Sequence, residues 1–145
     1  MGARAEAAKR CEVSMMNHMR LVLTIAQMLM RITGVLQLIL GLLIWAENMF
    51  GLIGIHTLIG LVFVLSLWVL AAVSTRAGVP TGQAAGVAIL GLVTLVFGMV
   101  QTSLLPGSAH WVIQVLHLLI GMAAVGSGET IGGRLRRVRL AEAHP

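Results

Sequence analysis

The sequence predicts an all-α integral membrane protein, a four-helix bundle built as a duplicated two-helix hairpin. Of its 145 residues 58% are hydrophobic and only 10% charged, whereas a soluble domain carries about 25% charged residues. Two stretches, 48–75 and 77–128, contain no Asp, Glu, Lys or Arg, and a bilayer core of about 30 Å takes roughly 20 helical residues. A short pattern also recurs in two of the apolar segments. Because Cys11 is the one cysteine, a disulfide scaffold is excluded.

Four spans follow from where the apolar sequence is interrupted. The stretch 77–128 is long enough for two spans and is broken at Leu105-Pro106-Gly107-Ser108, which is turn sequence with Ser108 as a helix N-cap. We expect spans at 28–46, 52–74, 83–104 and 109–127. Backbone N–H and C=O groups in hydrocarbon must form hydrogen bonds within their own segment, so each span is expected to be a helix. The first helix is expected to begin near Met15 and to run along the inner surface before it enters the membrane.

Arg31 is the one basic residue inside an expected span, and it has two interpretations. At about 1.5 Å per residue it lies roughly 24 Å from Glu47, close enough to the inner interface for its stem to snorkel there. In the alternative, a span from Leu21 places Arg31 at its centre as a functional charge. That charge would need a partner, and we expect no acidic residue inside a span.

The basic residues predict the orientation. All ten Lys and Arg residues fall on one side of the four spans. The positive-inside rule therefore predicts a multi-pass protein of the cell (inner) membrane with both termini in the cytoplasm. The chain then divides into a basic segment 1–20, a membrane bundle 21–128 and a basic tail 129–145. The tail directly follows a span and has no interleaved aromatic residues, which favours anionic inner-leaflet lipids over nucleic acid as its partner.

An internal repeat places two histidines in equivalent positions. Residues 55–60 read IHTLIG and residues 116–121 read LHLLIG, and upstream 39–43 (ILGLL) can be aligned with 96–100 (VFGMV) across a short gap. Two such hairpins would be related by a pseudo-twofold axis along the membrane normal, so spans two and four would run parallel. His56 and His117 would then lie at similar depths, roughly 6 to 12 Å below the outer ends of their helices.

Two facing imidazoles at matched depth suit an iron porphyrin with two axial histidines. Gly60 and Gly121 each follow a histidine by four residues, so each is expected to leave a recess on the histidine's face one turn deeper. We therefore predict haem b with its iron bound by His56 and His117, and with the second nitrogen of each ring donating to a carbonyl or hydroxyl. Three residues near the outer level, Gln101, His110 and Trp111, are expected to hydrogen-bond the haem propionates, because no Lys or Arg lies on that side.

This layout resembles the bacterial four-helix b-type membrane cytochromes. The resemblance covers residues 21–128 as architecture, and at residue level it rests on His56 and His117 with their following glycines. It implies electron transfer with quinol or with an outer-side partner. Members of that family often carry two haems and more histidines within their spans than this chain has.

Other functions stay open at this stage. A haem-free accessory or interaction subunit would use the histidines for hydrogen bonds between helices, and a metal or proton-relay site would use the same side chains. A transporter would have to couple protons through histidine alone. Quinone, a larger membrane complex and a homo-oligomer all stay open as partners, and so does a redox activity. The remaining histidines, His18, His110 and His144, are expected to be tolerated polar groups near the interfaces.

Overall fold

Four helices make up nearly all of the chain. The computed structural model describes residues 2–143, in which α1 spans Gly2–Ala46, α2 Ile53–Arg76, α3 Thr81–Val100 and α4 His110–Ala143. Short 3₁₀ turns, Phe50–Leu52 and Gln101–Ser103, lie in the α1–α2 and α3–α4 connections. All four helices are long and apolar enough to cross a membrane, and the described residues contain no strand. The all-α, four-span prediction is confirmed.

The helices form a ring in chain order. Each helix packs against the next, and α4 closes the ring on α1. Within residues 2–143, α2 and α4 also touch across the ring, whereas α1 and α3 do not. Short connections make neighbouring helices antiparallel, so α2 and α4 run parallel, as the repeat predicts. We call the end that carries the α1–α2 and α3–α4 connections the distal end and the opposite end the proximal end.

Three helix limits differ from those expected. The first helix begins at Gly2 rather than near Met15, and the fourth continues beyond residue 127 to Ala143. Both extensions contain several Ala, Arg and Glu residues, which favour helix whether or not they are apolar. Ser108 is not the N-cap of α4, because that helix begins at His110. Of the predicted tail, residues 144 and 145, including His144, lie outside the described residues.

The proximal half of the bundle is closely packed. Met30, Leu67, Leu70 and Ile131 are fully buried there, one or more from each of α1, α2 and α4. From α3, Ala84 and Val87 join the same cluster. Protein interiors of this kind pack as densely as organic crystals, so this half fixes how the four helices are spaced at their distal ends.

Glu129 corrects the expectation that Arg31 has no acidic partner within a span. The Arg31 Nε and Nη2 atoms donate to the two carboxylate oxygens of Glu129, each at 2.6 Å. Both residues fall within the helices that could cross a membrane. The sequence places Glu129 just beyond the expected fourth span, but α4 continues through it, so the carboxylate is carried on the same helix towards α1. This two-pronged ion pair joins the first hairpin to the second.

Candidate functional site

The two repeat histidines meet inside the distal half of the bundle. The rings of His56 on α2 and His117 on α4 have centroids 6.4 Å apart and planes tilted by 58°. The Nδ1 atom of each ring is buried and has no hydrogen-bond partner in the described part of the chain. The expected bond from the second ring nitrogen to a carbonyl or hydroxyl is therefore absent at Nδ1 in both histidines. The interior of the bundle therefore holds two polar ring nitrogens to which the described residues offer no hydrogen bond.

A cavity of about 270 Å³ surrounds this pair, and all four helices contribute to its wall. Of the seven residues expected at the site, six line the cavity; they are His56, Gly60, Gln101, His110, His117 and Gly121. Trp111 is the exception. Its side chain is 57% exposed and lies outside the cavity wall, because one residue along a helix turns the side chain by about 100°.

The glycines beside the rings are not the two expected ones. A Cβ atom built on Gly41 of α1 would lie 3.5 Å from Cε1 of His56, and one on Gly98 of α3 would lie 3.0 Å from Cε1 of His117. Gly60 instead faces the side chain of Gln37, while nothing lies within 4 Å of a Cβ on Gly121. Each histidine is thus accommodated by a glycine on the neighbouring helix of its own hairpin. Spacing along one helix could not reveal this contact.

Gln37 ties α1 to α2 next to the histidine pair. Its Nε2 donates to the backbone carbonyl of His56 at 2.9 Å, which is the cross-helix bond expected of an intramembrane amide. The Oε1 atom of the same side chain is buried without a partner. Together with the two Nδ1 atoms, this oxygen makes the wall of the cavity locally polar.

His117 is held more firmly than His56. The Phe97 ring of α3 stacks on it, with centroids 6.0 Å apart and planes only 11° from parallel. The position equivalent to Phe97 in the first hairpin is Leu40 in the alignment of 39–43 with 96–100, so His56 has no matching stack there. The two histidines are equivalent in position but not in packing.

The cavity wall follows the internal repeat. At one constant shift in sequence number, Leu38 and Gly41 of α1 correspond to Leu95 and Gly98 of α3. At a slightly larger shift, the α2 residues correspond to those of α4, and the matched pairs in the wall are His56 with His117, Gly60 with Gly121 and Val64 with Val125. The longer α3–α4 connection accounts for the difference between the two shifts. The cavity is therefore built from equivalent faces of two similar hairpins.

Comparisons with protein-family models, curated proteins and solved structures found no match. The functional argument accordingly rests on the cavity and its two imidazoles.

The side chains that could bind a metal ion can be compared with the ligand sets that metals require. No group of three or more His, Cys, Asp or Glu side chains comes together among the described residues, so this part of the chain offers no closed structural zinc site. Two imidazoles suit an ion whose other ligands come from a cofactor, as in a porphyrin. A ring nitrogen lies about 1.2 Å from its ring centre and binds a metal at about 2.0–2.1 Å, so two rings on opposite sides of one ion would have centres about 6.4 to 6.6 Å apart. The observed separation of 6.4 Å fits that arrangement.

Sequence reasoning missed Glu129, Gly41 and Gly98 as functional positions. A signal for the glycines was present, because Gly34 and Gly41 recur as Gly91 and Gly98 at one constant shift. For Glu129 no signal was present, since its contact with Arg31 joins positions 98 residues apart in the chain.

Proposed function

We propose that this protein is a b-type membrane cytochrome that binds one haem between α2 and α4, with His56 and His117 as the axial ligands. The observation that carries the proposal is the pair of facing imidazoles, 6.4 Å apart between centroids, at a cavity in which both Nδ1 atoms lack partners. A polar group buried without a partner costs free energy, and binding to a metal is one way to recover it.

Several residues of the chain would have distinct roles at this site. His56 and His117 bind the iron, while Gly41 and Gly98 leave the imidazole edges room against the neighbouring helices. Gln37 fixes the backbone of His56 through its hydrogen bond, and Phe97 fixes the plane of His117. A bound haem would supply one-electron chemistry. Because the cavity opens in the distal half, electron exchange with quinol or with a partner at the predicted outer surface fits the location best.

The absorbance spectrum of the protein, purified in detergent from haem-replete cells, tests the proposal. We expect a reduced b-type band with about one haem per chain, because the two imidazoles form one site. The double variant His56→Ala/His117→Ala should lose the band. As matched controls, His18→Ala and His110→Ala should keep it, since neither residue contacts the proposed iron position. Absence of the band in the wild type, or its retention in the double variant, would contradict the proposal.

One observation favours a second function, that of a haem-free membrane interaction subunit. Small-molecule pockets usually measure about 300–1,000 Å³, and the cavity of about 270 Å³ is slightly smaller. In that case the histidines serve only the packing of α2 against α4. The variant His56→Gln/His117→Gln would then assemble as the wild type does, since an amide keeps the hydrogen-bonding capacity, whereas the cytochrome would lose its haem.

A further inference from the structure

The mouth of the cavity has one apolar wall and one polar wall. The first hairpin contributes Ile44, Trp45, Phe50 and Ile53 to the distal part of the lining. From the second hairpin come Gln101, Thr102, His110 and Gln114. Among the lining residues none is Asp, Glu, Lys or Arg, so the contrast is between mostly apolar side chains and neutral hydrogen-bonding groups.

The internal repeat shows that this contrast is not an effect of depth. By the same shifts that pair the glycines and the histidines, Ile44 corresponds to Gln101, Trp45 to Thr102 and Ile53 to Gln114. Equivalent positions at equivalent heights are therefore apolar in one hairpin and polar in the other. Deeper in the cavity glycine lies opposite glycine and histidine opposite histidine, although Thr57 corresponds to Leu118. The polar residues of the second hairpin lie at the mouth, where a bound molecule would present its own polar groups.

The positions of the helices decide which part of a flat ligand meets each wall. The two imidazoles come from α2 and α4, which touch across the ring. A disc held between them would face α2 and α4 with its flat sides and would turn its edges towards α1 and α3. The first edge would lie near Ile44 and Trp45, and the second would lie near Gln101 and Thr102, with Gln114 of α4 also in the wall on that side.

The polar wall offers donors that suit a carboxylate. The amides of Gln101 and Gln114 and the hydroxyl of Thr102 all donate hydrogen bonds. In His110 the Nδ1 atom lies 3.1 Å from the carbonyl oxygen of Leu104, and because a carbonyl can only accept, this nitrogen carries the proton. This nitrogen is therefore committed to Leu104, and the two glutamines are the principal donors left for a ligand.

We infer that the site takes its haem in one orientation, with the carboxylate edge against Gln101 and Gln114 and the apolar edge against Trp45. This inference rests on the proposed function and adds a specificity to it. The site selects a porphyrin with free carboxylates, and it does so through neutral amides of the second hairpin rather than through cations.

Haem and haem dimethyl ester, in which both carboxylates are masked, provide the test. Full-length protein from haem-deficient cells is titrated with each porphyrin in detergent, and both dissociation constants are measured by absorbance. We expect the wild type to prefer haem by about tenfold, since hydrogen bonds to a charged group are stronger than those to an ester. The variant Gln101→Leu/Gln114→Leu should bind the two porphyrins within about twofold. The control Ile44→Leu/Ile53→Leu, at the equivalent positions of the apolar wall, should keep the tenfold preference.

A second variant gives the inference its own readout. Gln114→Glu places a carboxylate against the expected carboxylate edge, so it should weaken haem binding by more than tenfold and leave binding of the ester within about twofold of wild type. An undiminished preference in Gln101→Leu/Gln114→Leu, or equal weakening of both porphyrins in Gln114→Glu, would overturn the inference. If the wild type binds neither porphyrin, the proposed function itself fails.

Discussion

At the scale of single residues, the two histidines differ in how tightly their neighbours confine them. Cε1 of His117 lies 3.0 Å from the position of a Cβ on Gly98, whereas the equivalent distance between His56 and Gly41 is 3.5 Å. The shorter distance is tighter than ordinary van der Waals contact, and Phe97 already stacks on His117. A methyl group at Gly98 would therefore have to displace the ring, and one at Gly41 would not.

Gly98→Ala should lower haem affinity by about tenfold, because the added methyl group displaces the His117 ring from the position proposed for iron binding, at a cost of about 1–3 kcal/mol. Gly41→Ala, its equivalent by the repeat, should change the affinity by less than about twofold. Absorbance titration measures both. The thermal unfolding midpoint of the haem-free protein is an independent check, and it should fall for Gly98→Ala only. Equal effects of the two variants would show that the contact with His117 does not limit the site.

At the scale of helices, the Arg31–Glu129 pair is the contact that most specifically joins the two hairpins. It links α1 to α4 by two charge-assisted bonds of 2.6 Å. Each charge is the hydrogen-bond partner of the other, so the loss of either side chain leaves the remaining one without its two bonds. The side chains remain partly exposed on the surface of the bundle, which limits what the pair contributes to stability.

Glu129→Gln and Arg31→Gln should each lower the free energy of unfolding in lipid or mild detergent by on the order of 1 kcal/mol, because each leaves one charge of a partly exposed pair without its partner. The double variant should lose clearly less than the sum of the two, since it leaves neither charge behind. Unfolding by denaturing detergent measures the three values. The control Glu47→Gln should stay within about 0.5 kcal/mol of wild type, as Glu47 forms no ion pair among the described residues. Additive losses in the double variant would mean that the pair is not coupled.

At the scale of the whole molecule, the close-packed core and the cavity lie in different halves of the bundle. The largest fully buried side chains, Met30, Leu67, Leu70 and Ile131, lie in the proximal half, and the histidine cavity lies in the distal half. The close-packed half holds the helix spacing, so that the other half can keep an opening without collapsing. The basic residues lie at the proximal end and beyond it, in the first 31 residues of the chain, at Arg76 and on the α4 extension. The positive-inside rule predicts that this end faces the cytoplasm, and in that orientation the cavity would open towards the outer surface.

Thiol labelling checks this orientation. Cys11 is exposed near the proximal end, so a membrane-impermeant maleimide should label it in inverted vesicles and not in intact spheroplasts. In a Cys11→Ala background, Ser108→Cys at the exposed distal connection should give the opposite pattern. Labelling of Cys11 from the outside would reverse the orientation and would place the cavity towards the cytoplasm.

Much of the fold could be predicted because lipid imposes strict rules on sequence. Uncharged stretches of sufficient length, broken at Pro106 and Gly107, were enough to place four spans, and helix is the structure available to each. Helix ends were harder to place, since α1 and α4 continue as helix well past their apolar residues. Apolarity marks where a chain meets hydrocarbon, whereas helix length depends on backbone propensity as well.

The sequence by itself determined the four apolar helices, the repeat and the equivalence of His56 with His117, since each of these is a local or periodic property of the chain. Only the tertiary structure decided that Gly41 and Gly98 lie against the rings and that Glu129 pairs with Arg31. Only it, too, showed that the mouth of the cavity is polar on one side and apolar on the other. These features depend on how each helix is rotated about its axis, and packing against its neighbours sets that rotation.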